Sequence, residues 1–330
     1  MLLKSLIARL PYPSRPLQRV IGVAAVVTQA GIAVTGSVVR VTGSGLGCPT
    51  WPQCVPGSLV PVDHPEYHAL NQWIEFGNRL FTGGVFVVAI LAMLAAWRIK
   101  LAQPHRRRLV ALAWTLPGGV VLQAVIGGIT VLAKLEWWTV AIHFLATTPL
   151  IWLAVLLLQA FGEGEEKPRL LVSPPAHKTL IALVVAMWAV LAAGTVVTGA
   201  GPHGGDPSTH RLNAPIDVLA QAHGSLLVAY LLILAVFGLM LFRAGAPTRL
   251  WRTYGVVWAV AVAQGMLGSA QYALGVPEAL VSFHVLGSAV VLIATAALWC
   301  AARDRGLAAE PESGRLPEPA ASGSREVTPA

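Results

Sequence analysis

The sequence predicts an all-α polytopic membrane protein with eight transmembrane helices, arranged as two pseudo-symmetric four-helix bundles. Of its 330 residues, 55% are hydrophobic and only 12% are charged, whereas about a quarter of the residues in a soluble protein are charged. Eight apolar runs are about 20 residues long, enough for each to cross a bilayer as a helix. They lie at about 20–39, 76–97, 109–132, 138–160, 178–199, 217–242, 253–274 and 279–301.

The positions of the basic residues predict the orientation of these helices. With the N-terminus inside, 19 of the 23 Lys and Arg residues fall on the inner side, as the positive-inside rule requires. The remaining four are Arg40, Arg79, Lys134 and Arg211. We therefore expect an integral protein of a bacterial-type plasma membrane, in contact with lipid and with both termini cytoplasmic. The net charge of +8 then reflects orientation and does not indicate nucleic-acid binding.

A cleaved signal peptide over residues 1–36 is the alternative to the first span. The apolar run continues to Arg40 without a convincing small-residue cleavage site, so we expect the segment to be retained as a helix.

The spans and the polar segments between them divide the chain into five parts. These are a basic cytoplasmic lead at 1–19, an N-terminal half at 20–161, a cytoplasmic linker at 162–177, a C-terminal half at 178–302 and a tail at 303–330. The tail is rich in Pro, Glu, Ser, Gly and Ala and is expected to be disordered. Because each half has an even number of spans, the halves should enter the membrane in the same orientation.

A sequence repeat relates the two halves. In each, a Gly follows a Gln by four residues and a His follows that Gly by sixteen. The residues are Gln123, Gly127 and His143 in the first copy, and Gln264, Gly268 and His284 in the second. A His repeated within apolar sequence indicates two equivalent sites.

The second and fourth spans of each half place a polar residue at a similar depth. The pairs are His223 with His284 and Asn78 with His143. A single His in an apolar helix is more often a packing residue than a ligand, but three His at four matched positions favour a ligand pair. Two His from facing helices commonly hold haem iron.

The polar surroundings of these positions also favour haem over other metals. Arg79 and Arg211 are available at the outer boundary as partners for the propionates. Zinc or copper is the competing hypothesis, but two His without Cys, Asp or a third His make a poor site for either metal.

Two further groups of residues stand out near the outer side. Cys48 and Cys54 lie in the first outer loop, an oxidising compartment that favours a disulfide, although a thiol-redox role stays open. Glu75, Asn78 and Arg79 share one helix face. Glu75 and Arg79 are either a surface ion pair at the helix start or, if the carboxylate faces the bundle, part of a functional site.

Taken together, these residues resemble the haem A synthase family over about residues 18–302. The matching motifs are Gly43-Ser-Gly-Leu-Gly-Cys48-Pro-Thr-Trp-Pro-Gln-Cys54, Glu75-x-x-x-Arg79, Gln123…Gly127-Gly…His143, His223 and His284. The resemblance implies eight helices in two halves, an outer-loop disulfide, and haem b bound by His223 and His284. It implies that haem O is the substrate in the N-terminal half, at His143, Asn78 and Arg79. There one porphyrin methyl group becomes the formyl group of haem A. As a separate hypothesis, we expect Glu75 to be the catalytic residue, either as a base or by stabilising a developing cation on the methyl carbon.

The same resemblance implies partners. The product would serve a haem-A-containing terminal oxidase, haem O synthase would supply the substrate, and an unidentified acceptor would take the electrons. The sequence is also compatible with a homo-oligomer.

One residue departs from the family pattern. The family element is Glu-x-x-His-Arg, and here Asn78 stands where the His is expected. Three explanations follow: His143 alone holds the substrate and leaves an open axial position, an outer-loop His (His64 or His68) substitutes, or this half has lost activity. The sequence assigns no role to His203 or His210.

Two other classes of function fit part of the pattern. A dihaem membrane electron carrier would need a His at position 78 to complete two bis-His sites. A haem-delivery protein would not need an acid at Glu75. The chain has no phosphate-binding loop and no Ser-His-Asp grouping, which argues against a nucleotide site and a soluble hydrolase.

Overall fold

The computed structural model describes residues 2–63, 65 and 68–308, and long α-helices dominate that part of the chain. The helices are α1 Leu2–Arg9, α2 Arg15–Val41, α3 Ala69–Ala102, α4 Arg107–Leu132, α5 Trp137–Gly162, α6 Pro174–Ala200, α7 Ile216–Arg243, α8 Thr248–Ala273 and α9 Glu278–Ala301. Two short strands, β1 Arg169–Leu170 and β2 Arg303–Asp304, pair antiparallel.

Seven of the long helices, α2 to α7 and α9, are long and apolar enough to cross a membrane, so the predicted integral membrane protein is confirmed. The predicted seventh span, 253–274, coincides with the helix α8. That helix is not among the seven, although its 26 residues are enough to span. It carries Gln264, Gln271 and several Trp, Tyr and Gly residues, which lower its hydropathy. An eighth transmembrane span therefore remains a prediction.

Each half of the chain contributes most of the residues of one buried core. In the first half, α2 packs against α3 and α5, and α4 packs against α3 and α5. This core includes Leu109, Leu116 and Leu157, all without exposed surface. In the second half, α6 packs against α7 and α8 packs against α9, around Leu180 and Leu234. The halves meet where α2 and α5 contact α9.

Small residues let α3 approach its neighbours closely. Ala89, Ala92 and Ala96 are at most 1% exposed, and they lie three or four residues apart on one face of the helix. Close approach of helix backbones through small residues is the usual way in which membrane helices pack.

The two ends of the molecule differ. We call the end that carries Cys48 and Cys54 the disulfide end. There the loops of the two halves meet: the Gly45 N–H donates to the Gly205 carbonyl at 2.7 Å, and Arg40 Nε donates to the His203 carbonyl at 2.7 Å. These bonds hold the first half against the second at the disulfide end.

At the opposite end, residues 303–308 after α9 are structured, whereas the prediction placed these six residues in a disordered tail at 303–330. β2 pairs with β1, and the Gly164 N–H donates to the Gly306 carbonyl at 2.9 Å. Residues 303–308 therefore lie against the 162–177 connection, and residues 309–330 are outside the described residues. The predicted lead at 1–19 contains α1 and the start of α2.

Candidate functional site

The Gln–Gly–His repeat appears in the structure as two matching helical hairpins, α4 with α5 and α8 with α9. Both connections use two consecutive residues with positive φ. These are Lys134 (53°) and Leu135 (59°) in the first hairpin, and Gly275 (76°) and Val276 (62°) in the second. Left-handed backbone is rare outside glycine, so its occurrence at equivalent positions indicates that both hairpins reverse direction in the same way.

Each His of the three matched positions rests on a glycine of a neighbouring helix. A Cβ atom at Gly127 would lie 3.1 Å from His143 Cε1, and one at Gly268 would lie 2.9 Å from His284 Cε1. The ring of His223 is seated in the same way on Gly194, again at 3.1 Å. Because carbon atoms prefer separations of about 3.5–4.0 Å, any larger residue at these glycines would displace the ring.

His223 and His284 face each other in the second half. Their ring centroids are 6.3 Å apart and the ring planes make an angle of 62°. His223 Nδ1 lies 3.0 Å from the Val190 carbonyl, a contact that places the proton on Nδ1 and leaves Nε2 as a free lone pair. Such a hydrogen bond is typical of a metal-ligating His.

This spacing fits two axial ligands on one metal ion. An imidazole nitrogen binds a metal at about 2.0 Å, and the ring centroid lies about 1.2 Å behind that nitrogen. Two rings on opposite sides of one ion should therefore have centroids roughly 6.4 Å apart, as His223 and His284 nearly do. A haem iron between them is consistent with the residues present.

A second feature also indicates a ligand. The Nδ1 atoms of His143 and His284 are buried and have no hydrogen-bond partner among the described residues. Leaving a buried polar atom unsatisfied costs about 1–3 kcal/mol, so each such group needs an explanation, and a ligand bound at the site is one. No cluster of three or more His, Cys, Asp or Glu that could hold a metal occurs in the described part of the chain.

The two Gln residues of the repeat brace the His helices. Gln264 Nε2 donates to the His284 carbonyl at 2.8 Å. In the first half Gln123 Nε2 donates to Thr147 Oγ1 at 3.1 Å, and that hydroxyl donates to the His143 carbonyl at 3.0 Å. The Gln side chains therefore hold α4 to α5 and α8 to α9 at the level of each His.

Position 78 differs from its counterpart His223. The Thr35 hydroxyl on α2 donates a 2.7 Å hydrogen bond to Asn78 Oδ1 on α3. Sequence reasoning did not identify Thr35, although its Val-Thr-Gly motif recurs near the end of α6.

Glu75 is buried, with 5% of its surface exposed, so of the two alternatives left open by the sequence, the structure excludes a surface ion pair. One carboxylate oxygen accepts from Arg79 at 2.7 Å, and the other accepts from the Cys48 N–H at 2.6 Å. Arg79 Nη2 also donates to the Cys48 and Thr50 carbonyls at 2.9 and 3.0 Å. Glu75 and Arg79 thus fasten the disulfide loop to α3.

The disulfide predicted between Cys48 and Cys54 is confirmed, with an S–S distance of 2.01 Å. The loop that it closes packs beside the first His. A Cβ atom at Gly128 would lie 2.5 Å from Trp51 Cδ2, so Trp51 covers α4 one residue from the glycine under His143. The sequence indicated the loop but not this contact.

Three other polar residues of the disulfide end, Arg211, His203 and His210, have structural partners. Arg211 Nε donates to the Gly201 carbonyl at 2.9 Å, and burial lowers its pKa. His203 Nε2 lies 2.8 Å from the Val276 carbonyl, and His210 pairs with Glu136 at 3.0 Å. His68 precedes α3 and is exposed, while His64 lies outside the described residues. The propionate contacts predicted for Arg79 and Arg211 stay predictions.

Comparison with known proteins shows similarity over part of the chain. Residues 19–203 match the model of a family described as Cytochrome oxidase assembly protein, COX15-CtaA. The chain is similar to the Heme A synthase of Lysinibacillus sphaericus (strain C3-41), with 37% identity over 138 residues, 41% of this chain and 42% of that protein. It is also similar to the Heme A synthase of Shouchella clausii (strain KSM-K16), with 28% identity over 179 residues, 53% of this chain and 56% of that protein.

These matches cover about half the length of each relative. The family match alone covers more than half of this chain. The protein therefore belongs to the haem A synthase family of cytochrome oxidase assembly proteins.

Proposed function

We propose that the protein is a haem A synthase that oxidises a porphyrin methyl group of haem O to the formyl group of haem A. The observation that carries this proposal is the pair His223 and His284, whose 6.3 Å ring separation suits a single iron, together with a related His-bearing hairpin in the first half. One half thus has the residues for a resident haem and the other has those for a substrate porphyrin.

In this proposal the second half binds haem b through His223 and His284. When bound, haem b supplies one-electron redox chemistry. The chain contributes the orientation of the two rings: the Val190 carbonyl fixes His223, and Gln264 fixes the backbone of His284. Gly194 and Gly268 supply the space in which the rings lie.

The first half binds haem O through His143, with Asn78 and Arg79 beside it. Two successive oxidations each remove two electrons, release two protons and add a hydroxyl group from water to the methyl carbon. The resulting hydrate loses one water molecule and leaves the formyl group. The electrons pass to an acceptor that remains to be identified. Trp51 and the disulfide loop limit the access of bulk water from the disulfide end.

Glu75 is the catalytic residue in this proposal. Positive charge develops on the methyl carbon as electrons leave, and a fixed carboxylate in a low-dielectric site stabilises such charge. Two hydrogen bonds hold Glu75 in one position, from Arg79 and from Cys48. The same carboxylate is a candidate base for the attacking water.

Further parts of the proposal concern the surroundings of the enzyme. The disulfide end faces outward, both termini are cytoplasmic, and α8 completes an eighth span that gives two four-helix bundles. Haem O synthase supplies the substrate, and the product is used in the assembly of a haem-A-containing terminal oxidase.

The test replaces Glu75 by Gln in membranes that contain haem O but no haem A. We expect Glu75→Gln to abolish formyl production while haem b stays bound, because Gln keeps the size of the side chain but removes its charge. Glu136→Gln is the matched control, since Glu136 is an acid at the same end that pairs with His210. Full formyl production by Glu75→Gln would remove Glu75 from the mechanism.

A further inference from the structure

The two halves of the molecule differ in which side chain packs on the matching glycines of α2 and α6. In the second half, the glycine Gly194 of α6 lies under the ring of His223 on α7. The matching glycine of α2 is Gly31, in a similar Ala-Gly sequence five residues before the Gly of Val-Thr-Gly. A Cβ atom there would lie 3.2 Å from Phe81 Cζ. Phe81, one turn after Asn78, thus contacts α2 at the level where His223 contacts α6 in the other half.

Asn78 stands at the His223 position and is turned to α2. Its Oδ1 accepts the 2.7 Å hydrogen bond from Thr35, so the amide oxygen is engaged. Its amide nitrogen has no hydrogen-bond partner within the described ranges, and the residue is only half-buried. An amide N–H₂ group cannot ligate iron, but it can donate a hydrogen bond.

No other described His is placed to substitute. His68 lies ten residues before Asn78, about 15 Å along the axis of a helix, and is exposed. His203 and His210 are held by Val276 and Glu136. Of the His residues on the disulfide side that the structure describes, His143 alone lies within a first-half helix at the depth of its counterpart His284, with its Nδ1 atom buried.

We propose that the first half holds its porphyrin through His143 alone, and that Asn78, oriented by Thr35, forms a small-ligand site on the opposite axial face. The occupant is a neutral molecule of two or three atoms, such as water or a diatomic gas, that accepts a hydrogen bond from the Asn78 amide. This inference rests on the proposed function, because it requires a porphyrin at His143. It distinguishes this chain from an arrangement with two bis-His sites.

Carbon monoxide is the probe for this site. The full-length protein is purified with its porphyrins, reduced with dithionite, and titrated with carbon monoxide while the absorbance spectrum is recorded. We expect about half of the iron to bind carbon monoxide, since the iron between His223 and His284 has both axial positions filled. His143→Ala should remove the carbon-monoxide-binding porphyrin and leave the spectrum of the other unchanged.

Two variants test the roles of the side chains. Asn78→His should abolish carbon monoxide binding and convert the first-half iron to a low-spin spectrum, because the new ring fills the axial position. Thr35→Val removes the hydrogen bond to the Asn78 amide oxygen without adding a side chain on the porphyrin face opposite His143. It should leave the stoichiometry of carbon monoxide binding unchanged and weaken its affinity by roughly 2- to 10-fold, the effect of one hydrogen bond.

The outcomes separate this inference from the function on which it rests. A protein that contains porphyrin at His143 but binds no carbon monoxide would overturn the open face and leave the synthase proposal standing. Carbon monoxide binding that survives His143→Ala would assign the open position to the second half and also overturn the inference. Purified protein without any His143-dependent porphyrin would overturn both proposals together.

Discussion

Replacing Gly268 by Ala should displace His284 and weaken haem binding in the second half. The added methyl carbon would lie 2.9 Å from His284 Cε1, whereas carbon atoms pack at about 3.5–4.0 Å. The ring must therefore move by roughly 0.6 Å or more, away from α8. Rotation of α9 is opposed by the bond from Gln264 Nε2 to the His284 carbonyl, so the side chain takes most of the shift.

The size of the effect follows from two general observations. Inserting one methyl group into a packed site destabilises a protein by about 1–3 kcal/mol. Disturbing the groups that orient a metal-ligating His weakens metal binding by about 10- to 100-fold. We therefore expect Gly268→Ala to be purified with much less haem b, and the remaining haem to show a shifted Soret band and reduction potential.

Gly255→Ala is the matched control on the same helix. A Cβ atom at Gly255 would meet nothing within 4 Å, so this variant changes the helix in the same chemical way without touching a His. Haem content and spectra are measured on both purified proteins. Normal haem b content and an unchanged spectrum in Gly268→Ala would refute the reasoning that His284 is a ligand positioned by this glycine.

Three further variants probe other contacts. His223→Ala should lose haem b while the folded helix content in circular dichroism is kept; unchanged haem content would contradict the ligand assignment. Replacing Cys48 and Cys54 by Ser should lower the free energy of unfolding by about 2 kcal/mol, as expected for a short closed loop; an unchanged midpoint in thermal unfolding would argue against this contribution. Arg106→Met should destabilise the protein by about 1–3 kcal/mol, because the 1% exposed side chain donates to the Ala160, Phe161 and Glu163 carbonyls; equal denaturation midpoints would show that these carbonyls find other partners.

The membrane helices could be predicted well because hydropathy is a property of a local window of sequence. The helix starts were less accurate. The second span was expected from residue 76, but α3 begins at Ala69. Its first turns contain Asn71, Gln72 and Glu75, polar residues that a hydropathy window excludes. Asn71 Nδ2 donates to the Gly43 carbonyl at 3.2 Å, and Glu75 accepts from the Cys48 N–H at 2.6 Å. These are tertiary contacts, which hydropathy does not include.

The matched depth of the two residues predicted the pairing of His223 with His284, and in the structure their ring centroids lie 6.3 Å apart, while their role as haem ligands stays a prediction. The repeat did not predict the glycine under each ring. Gly127 and Gly268 belong to the repeat, yet their spacing alone does not say which side chain fills the space above them. That contact depends on how α4 packs on α5 and how α8 packs on α9.

The position of Glu75 also could not be decided from the sequence. Spacing puts Glu75 and Arg79 on one helix face, and a surface pair would have the same spacing. The structure buries the carboxylate because the loop of Cys48 folds over it and supplies a backbone N–H. The spacing of Glu75 and Arg79 cannot predict this burial, because the covering loop comes from another part of the chain.

The most direct test of the central claim is chromatography of the porphyrins extracted from the protein. The wild-type chain is expressed in membranes that contain haem O and no haem A, purified, and its porphyrins are separated and identified. The account predicts haem b together with haem A or its hydroxylated precursor. Haem b alone, at about one per chain and with no modified porphyrin, would contradict the claim that the first half oxidises haem O.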